Sequence, residues 1–291
     1  MSKFAIGTAQ FGMEYGINSS NGRVEIPEIN RILNYAKSIN IDLLDTASSY
    51  GVSEEILGKI SDRNFKIITK TRHFKSTKIS EEEIALLNDD FSRSLTKLNK
   101  KFVYGLLVHN SDDLFKAGAN RLFDSLMALK EADKIKKVGV SVYDLRQLDF
   151  VLENFNLDIV QLPLSIFDRR MVENGMLSYL NSQGIEIHAR SIFLQGLLLI
   201  KKNMRPEKFS QWNKLWDVWD KWLIENDISP LEASVRFVNS FSEVSKIIVG
   251  VETTNQLIEI NSAAAGFLPS IPDELFTTDE YLLNPSNWKQ L

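Results

Sequence analysis

Four residues whose side chains can donate, accept or stabilise a proton lie at or just past short apolar runs: Asp45, Tyr50, Lys70 and His109. If these runs are parallel strands of one barrel, the four side chains converge at its C-terminal rim, where such barrels carry their chemistry. A carboxylate, a phenol, an ammonium and an imidazole held together are groups that serve in acid–base catalysis. The pattern therefore predicts an enzyme.

Each of the four residues also has an ordinary structural explanation. An unpaired Lys70 ammonium inside a barrel would be costly, so Asp45 is its expected partner in a structural pair as much as in a catalytic one. A loop tyrosine such as Tyr50 commonly satisfies its hydroxyl locally, and a single histidine such as His109 is often a core residue. Taken singly, the residues leave both roles open.

Other chemistries have less support. His73, His109 and His188 have no short-range ligand spacing, so we predict no metal site. The chain has no cysteine, which excludes disulfides, thiolate catalysis and cysteine-ligated metals. The sequence Gly-x-Ser-x-Gly, which would place a serine nucleophile on a strand-to-helix turn, is absent.

The elements that must position these residues alternate along the chain. Stretches with a helical period, such as the apolar face from Ile29 to Ala36, separate eight short apolar segments that suit strands covered on both faces. The predicted strands are 4–7, 41–45, 65–69, 104–109, 137–142, 159–162, 185–189 and 247–251. Eight alternations favour a (β/α)8 TIM barrel of the α/β class over a doubly wound sheet, which would want Gly-x-Gly-x-x-Gly after its first strand. We expect one domain over 1–291, with a tail from about 267 to 291 near the barrel mouth.

Composition narrows the classes of partner. The 291 residues are 44% hydrophobic and carry a net charge of −4 without a basic stripe, which argues against a nucleic-acid partner. No run approaches the ~20 apolar residues of a membrane helix, and the start lacks a signal-peptide pattern. We therefore expect a cytoplasmic protein with a small-molecule substrate and no membrane partner, as a monomer or small homo-oligomer.

Six short sequences extend the pattern through the chain: Gly7 to Gly12, Asp45 to Gly58, Thr69 to Thr71, Val108 to Asn110, Gly139 to Ser141 and Gly250 to Leu257. Together with the order of strands and helices, these six sequences resemble the aldo-keto reductase superfamily over almost the whole chain. The block Asp-x4-Tyr-Gly-x-Ser-Glu-x2-Leu-Gly is the most specific of them. The resemblance implies a barrel that binds a nicotinamide cofactor without a Rossmann fold and reduces an aldehyde or ketone to an alcohol, or the reverse.

The resemblance also implies a role for each of the four residues. Tyr50 would be the general acid/base that exchanges a proton with the substrate oxygen. Lys70 would stabilise the Tyr50 anion, because a free phenol of pKa ~10 is a poor proton donor near neutrality. Asp45 would hold Lys70 charged and aimed, and His109 would orient the substrate oxygen.

A cofactor site at several strand ends is implied in the same way. Gln161 and Ser141 match the residues that bind the nicotinamide carboxamide, while Val142 replaces the usual asparagine. Arg190 stands where an aromatic ring often stacks on the nicotinamide, and it would stack there itself or face an anionic substrate group. The full predicted set is Thr8, Ala9, Asp45, Ser141, Gln161, Arg190, Ser191, Phe193, Gln195, Gly196, Leu197, Gly250, Thr253, Thr254 and Gln256.

The nucleotide and the substrate are less determined. The resemblance implies NADPH as the usual cofactor of the family. Residues 250–256 contain no cation for a 2′-phosphate and include Glu252, so NADH is a strong alternative. Arg72, Arg169 and Arg190, just beyond strand ends, suggest a sugar-derived or anionic carbonyl substrate. Two other functions stay open: a cofactor-binding regulatory or redox-sensing subunit with little turnover, and a lyase or isomerase that uses Tyr50 and Lys70 without nicotinamide.

Overall fold

The structure, a computed structural model, describes residues 2–17, 22–60 and 64–291. Eight parallel strands pair in sequence order, and the last pairs with the first to close a barrel. The strands are β1 (Phe4–Gly7), β2 (Leu43–Asp45), β3 (Lys66–Lys70), β4 (Val103–Val108), β5 (Ile135–Ser141), β6 (Ile159–Pro163), β7 (Glu186–Arg190) and β8 (Val244–Gly250). The predicted (β/α)8 TIM barrel is confirmed.

Helices connect the strands around the outside of the barrel. The α-helices of the described residues are α1 (Ala9–Gly12), α2 (Ile26–Ser38), α3 (Ser53–Ile60), α4 (Glu81–Lys97), α5 (Ala119–Glu131), α6 (Leu145–Asn154), α7 (Arg170–Glu173), α8 (Met176–Ser182), α9 (Asn213–Glu225), α10 (Pro230–Asn239), α11 (Thr254–Ala263) and α12 (Glu280–Leu283). Among the described residues, no helix combines the length and the apolar content needed to cross a bilayer.

The strands are apolar on both faces because both faces are buried. Side chains that alternate along each strand point into the barrel or outward to the helices. A small inner cluster fills the barrel, and a much larger outer cluster lies between the strands and the helices. The inner cluster consists of Ala5, Leu43, Ile68, Leu107 and Ile159. This double burial produces the short continuous apolar runs of the sequence.

The boundaries of several strands differ from the predicted ones, and two of these differences have an identifiable reason. The strand predicted from residue 41 begins at Leu43, because the Ile41 N–H bonds the Ala36 carbonyl at 2.9 Å and so closes the end of α2. The last strand begins three residues earlier than predicted, because Val244 already pairs with Ile187 of β7.

The tail contacts loops that follow β6 and β7. The Thr277 N–H donates to the Phe167 carbonyl at 3.1 Å, and the Trp212 Nε1 donates to Asp279 at 2.9 Å. Pro285 begins a short 3-10 turn in the tail (Pro285–Lys289), because its fixed φ is compatible with the first position of the helix. The single-domain organisation stays a prediction.

Candidate active site

A buried ion pair joins the ends of β2 and β3. The Lys70 Nζ donates to Asp45 Oδ2 at 2.6 Å and to the Thr46 carbonyl at 2.9 Å. The two charged side chains are only 1% and 5% exposed. The pair removes the cost of burying an isolated ammonium inside the barrel, and it fixes the direction of Lys70.

Tyr50 and His109 lie over this pair. The Lys70 Nζ is 5.1 Å from the centroid of the Tyr50 ring, and the Tyr50 and His109 rings meet edge to face with centroids 5.8 Å apart. The structure therefore brings together all four residues that the sequence singles out, at the C-terminal rim of the barrel.

Two glycines allow the Tyr50 turn to form. A Cβ on Gly12 would lie 1.8 Å from the Tyr50 carbonyl oxygen, so the loop after β1 can cross this turn only without a side chain there. Gly51 has a φ of +55° and packs back against Gly12. Ser53 contributes to the same corner. Its Oγ donates to the Thr8 carbonyl at 3.0 Å.

The environment keeps His109 neutral. Burial lowers its pKa to about 3, with further lowering by the charges of Lys70, Arg190 and His73. A neutral imidazole can donate one hydrogen bond and accept another, and Ser49 Oγ already lies 3.4 Å from Nδ1.

The pKa of Tyr50 shifts in the opposite direction from the one we expect of a phenol activated by Lys70. Burial raises it, the Asp45 carboxylate raises it further, and the Arg190 charge opposes them. Burial is the largest cause of the raised pKa, and the Asp45 carboxylate that adds to it is the partner of Lys70 at 2.6 Å. Tyr50 is therefore a fully protonated phenol at neutral pH, in the form required of a proton donor.

The residues predicted to hold the nicotinamide connect to this set. The Gln161 Nε2 donates to Asp45 Oδ1 at 2.9 Å, so Asp45 uses one oxygen for Lys70 and the other for Gln161. Ser141 ends β5, and its Oγ accepts a hydrogen bond from the Arg190 Nε at 3.2 Å. Thr8 lies at the adjacent corner, where its Oγ1 donates to the Asp45 carbonyl at 3.0 Å, and Ala9 is buried beside it.

The loop after β7 has an unusual backbone. Ser191, Leu194 and Gln195 all have positive φ values, which L-residues rarely adopt, and Gly196 follows with a φ of +93°. Such strain persists where the surroundings over-determine it, and it clusters at functional sites. The Gln195 Nε2 donates to the Tyr15 hydroxyl at 3.0 Å, which joins this loop to the one after β1. The predicted residues Phe193 and Leu197 pack into the core from the same loop.

The turn after β8 is capped by its own side chains. Thr253 and Gln256 form a capping box at the start of α11, so their polar groups already serve the helix. Gly250 leaves room for Gln10, because a Cβ there would lie 2.6 Å from the Gln10 Nε2.

A residue that the sequence analysis missed occupies this helix end. The Glu28 carboxylate of α2 accepts from the Thr254 N–H at 2.6 Å and from the Thr254 Oγ1 at 2.8 Å. These bonds lower the pKa of Glu28, so it is an anion at neutral pH. Arg31 also bonds Glu28, at 2.7 Å through Nε. A cation close to this turn thus lies on α2 at Arg31, which is 223 positions before Thr254, and no local signal in 250–256 reveals it.

Comparison with known proteins agrees with this architecture. The family model described as the aldo/keto reductase family matches residues 3–272, which is most of the chain. The chain belongs to the aldo/keto reductase family. The matched range includes the four residues at the rim and the strands that carry them.

Individual members of the aldo/keto reductase family are distant. The chain is 29% identical over 175 residues to the aldo-keto reductase YhdN of Bacillus subtilis, covering 54% of this chain and 50% of that protein. It is 26% identical over 202 residues to an NADH-specific methylglyoxal reductase of Escherichia coli, covering 62% and 61% of the two chains. The matches thus span about half to three fifths of these relatives' length.

Solved structures share the fold. An aldo-keto reductase from Bacillus halodurans in its holo form has a TM-score of 0.71 at 19% identity, covering 92% of this chain and 88% of that one. A glycerol dehydrogenase from Gluconobacter oxydans has a TM-score of 0.66 at 22% identity, covering 93% and 88%.

Proposed function

We propose that this aldo/keto reductase family member is an NAD(P)H-dependent oxidoreductase that reduces an aldehyde or ketone to an alcohol, or catalyses the reverse reaction. The observation that carries the proposal is the buried Lys70–Asp45 pair directly beneath Tyr50 and His109. The activities named for two relatives, a methylglyoxal reductase and a glycerol dehydrogenase, are both interconversions of a carbonyl and an alcohol.

In this reaction the chain supplies the proton. A bound nicotinamide would supply the hydride for the carbonyl carbon. The Tyr50 O–H bond breaks, its proton goes to the carbonyl oxygen, and the phenolate left behind faces the Lys70 ammonium 5.1 Å from its ring. Neutral His109 donates a hydrogen bond to the same substrate oxygen and fixes its position. Solvent returns a proton to Tyr50 before the next turnover.

The residues at the rim fit a nicotinamide nucleotide. Gln161 within β6 presents an amide, and Ser141 at the end of β5 presents a hydroxyl; both groups suit a carboxamide. Gln161 has an amide oxygen to accept from it, since its Nε2 is the atom that serves Asp45. The strained loop from Ser191 to Gly196 and the turn after β8 would hold the diphosphate and the adenosine.

We propose further that the nucleotide is NADH. The Glu28 carboxylate already takes the Thr254 N–H and hydroxyl at the start of α11, where a 2′-phosphate would need them. A 2′-phosphate, which carries close to two negative charges, would be repelled by the Glu28 carboxylate, whereas ribose hydroxyls can donate to it. The name of the Escherichia coli relative, an NADH-specific enzyme, supports the same choice.

The testing experiment is a titration of the purified protein with NADH and with NADPH, following tryptophan quenching, combined with turnover on a panel of aldehydes. We expect tight binding of NADH and steady oxidation of NADH with at least one aldehyde. Binding without turnover on any carbonyl or alcohol would favour the regulatory or redox-sensing function. Binding of neither nucleotide would contradict the proposal and favour a lyase or isomerase.

A further inference from the structure

Most cations near the rim are already neutralised or covered. Arg72, which we expected to face an anionic substrate, pairs with Asp90 at 3.2 Å. Arg169, expected to do the same, is only 8% exposed and donates to the Asp273 carbonyl of the tail at 3.1 Å. Arg170 pairs with Asp168 at 2.8 Å. These arginines therefore serve the fold.

Arg190 differs from Arg72 and Arg170 because its partners are all neutral. It differs from Arg169, which is also without a carboxylate partner, because its side chain is only half-buried. Its Nε donates to the Ser141 hydroxyl at 3.2 Å, its Nη1 to the Ser191 hydroxyl at 3.2 Å and its Nη2 to the Val142 carbonyl at 2.8 Å. The guanidinium also lies 4.1 Å from the centroid of the Tyr143 ring. Among residues 2–17, 22–60 and 64–291, no carboxylate lies within ion-pair distance of it.

The contacts leave part of the guanidinium free. An arginine has five N–H donors, and the three hydrogen bonds use one on each nitrogen. By count, one N–H remains on Nη1 and one on Nη2. Two N–H groups on the terminal nitrogens are what a carboxylate or phosphate accepts in a bidentate pair.

The charge of Arg190 acts within the catalytic set. It opposes the burial that raises the pKa of Tyr50, and it adds to the burial that lowers the pKa of His109. It also opposes the burial that raises the pKa of Tyr15, on the opposite loop. A half-buried cation without a counter-ion is costly, and an anionic ligand beside these residues would remove that cost.

We propose that Arg190 binds the anionic group of the substrate, so that the substrate class is a short carbonyl compound carrying a carboxylate or phosphate close to the reacting carbon. The proposal rests on the proposed function. The hydrogen bonds to Ser141 and Ser191 hold the guanidinium in place, and the Tyr143 ring limits its movement on one side. The anion thereby anchors one end of the substrate while Tyr50 and His109 take the carbonyl oxygen.

The diphosphate of the nucleotide is a second source of the same anionic chemistry. The two sources differ in what a substitution at Arg190 changes. If Arg190 binds the substrate, its replacement raises KM for anionic substrates, whereas if it binds the diphosphate, replacement raises the Kd of NADH and slows all substrates alike.

The experiment compares glyceraldehyde with glyceraldehyde 3-phosphate, and butanal with succinic semialdehyde, in the intact protein. Each pair differs by one anionic group. For the wild type we expect kcat/KM to favour the anionic member of at least one pair by about tenfold or more. In Arg190→Met we expect that preference to fall by at least tenfold, because KM for the anionic substrate rises. Arg190→Lys keeps the charge but lacks the planar guanidinium that forms bidentate pairs, so it should restore part of the preference. Arg72→Met removes a rim cation that is already paired, and it should leave the preference unchanged.

Direct binding gives a second readout. NADH titrations of Arg190→Met, with folding checked by Tm, should return a Kd within about threefold of the wild type. A raised Kd with equal losses on neutral and anionic substrates would assign Arg190 to the diphosphate and overturn the proposal. Equal kcat/KM for both members of both pairs in the wild type would also overturn it. Absence of NADH binding in the wild type would instead contradict the proposed function.

Discussion

The Gln161 side-chain amide donates a 2.9 Å hydrogen bond to one oxygen of Asp45, whose other oxygen holds Lys70 at 2.6 Å. Asp45 therefore connects the middle of β6 with the ends of β2 and β3 across the barrel interior. Because a buried carboxylate with both oxygens bonded has little freedom to rotate, it fixes two partners at once. A ligand that binds Gln161 would thus contact the group that orients Lys70.

The proposed acid can be tested by Tyr50→Phe. We expect turnover to fall on the order of 10²–10⁴-fold, because the substitution removes the transferred proton but retains the ring against His109. The Kd of NADH should change little. Stopped-flow transients and a fluorescence titration measure the two quantities, and full turnover in this variant would exclude Tyr50 as the acid.

The Lys70–Asp45 pair should show coupled stability. Asp45→Asn leaves the Lys70 ammonium buried without its anion, so we expect a loss of about 3–5 kcal/mol in the free energy of unfolding. In the double variant Asp45→Asn/Lys70→Met the unpaired buried ammonium is gone. We expect much of the stability to return, but not the activity. Denaturant unfolding of both single variants and the double variant measures the coupling, and additive losses would mean that the pair does not act as a unit.

Glu28 should determine the preference of the protein for NADH over NADPH. Glu28→Gln removes the negative charge from the start of α11 while keeping a polar side chain of the same length. We expect the ratio of NADPH to NADH affinity to rise by roughly five- to tenfold. Glu25→Gln, a nearby exposed glutamate at the start of α2, is the matched control. A preference of the wild type for NADPH would contradict this role. So would the same ratio of NADPH to NADH affinity in Glu28→Gln and Glu25→Gln.

His109 should make stability depend on pH. Its folded pKa of about 3 lies below the unfolded value near 6.5, so folding favours the neutral imidazole. This contribution is complete above pH 6.5 and is lost as the pH falls toward 3, at about 1 kcal/mol per pH unit. His109→Gln should flatten the stability profile between pH 6.5 and 4.5, and His73→Gln, which removes an exposed histidine, is the control. Thermal unfolding against pH measures both, and identical slopes would contradict the burial argument.

Gly12 should be intolerant of a methyl group. In Gly12→Ala the new Cβ would overlap the Tyr50 carbonyl oxygen, so the turn that carries Tyr50 must move. We expect a loss of about 1–3 kcal/mol in stability and a fall in kcat per folded molecule. Gly184→Ala places a Cβ in a left-handed position with open space around it, so it should cost stability with kcat unchanged. Equal kcat values in the two variants would contradict the steric argument.

The sequence by itself determined the barrel and the four residues at its rim. Strands covered on both faces must be continuously apolar, and the polar residues that end them stand out for that reason. Asp45, Lys70 and His109 could thus be placed at strand ends from the sequence, and the structure brings them together with Tyr50. The roles of these residues and of the cofactor set stay predictions.

Only the tertiary structure decided which charges are free and which are occupied. Arg72 and Arg190 look alike in the sequence, yet one meets Asp90 and the other meets only neutral groups. Glu28 contacts Thr254, which lies 226 positions later in the sequence, and no local sequence pattern predicts this contact. Periodicity records which face of an element is buried, whereas the partner of a polar side chain depends on which loops the closed barrel brings within a few ångströms.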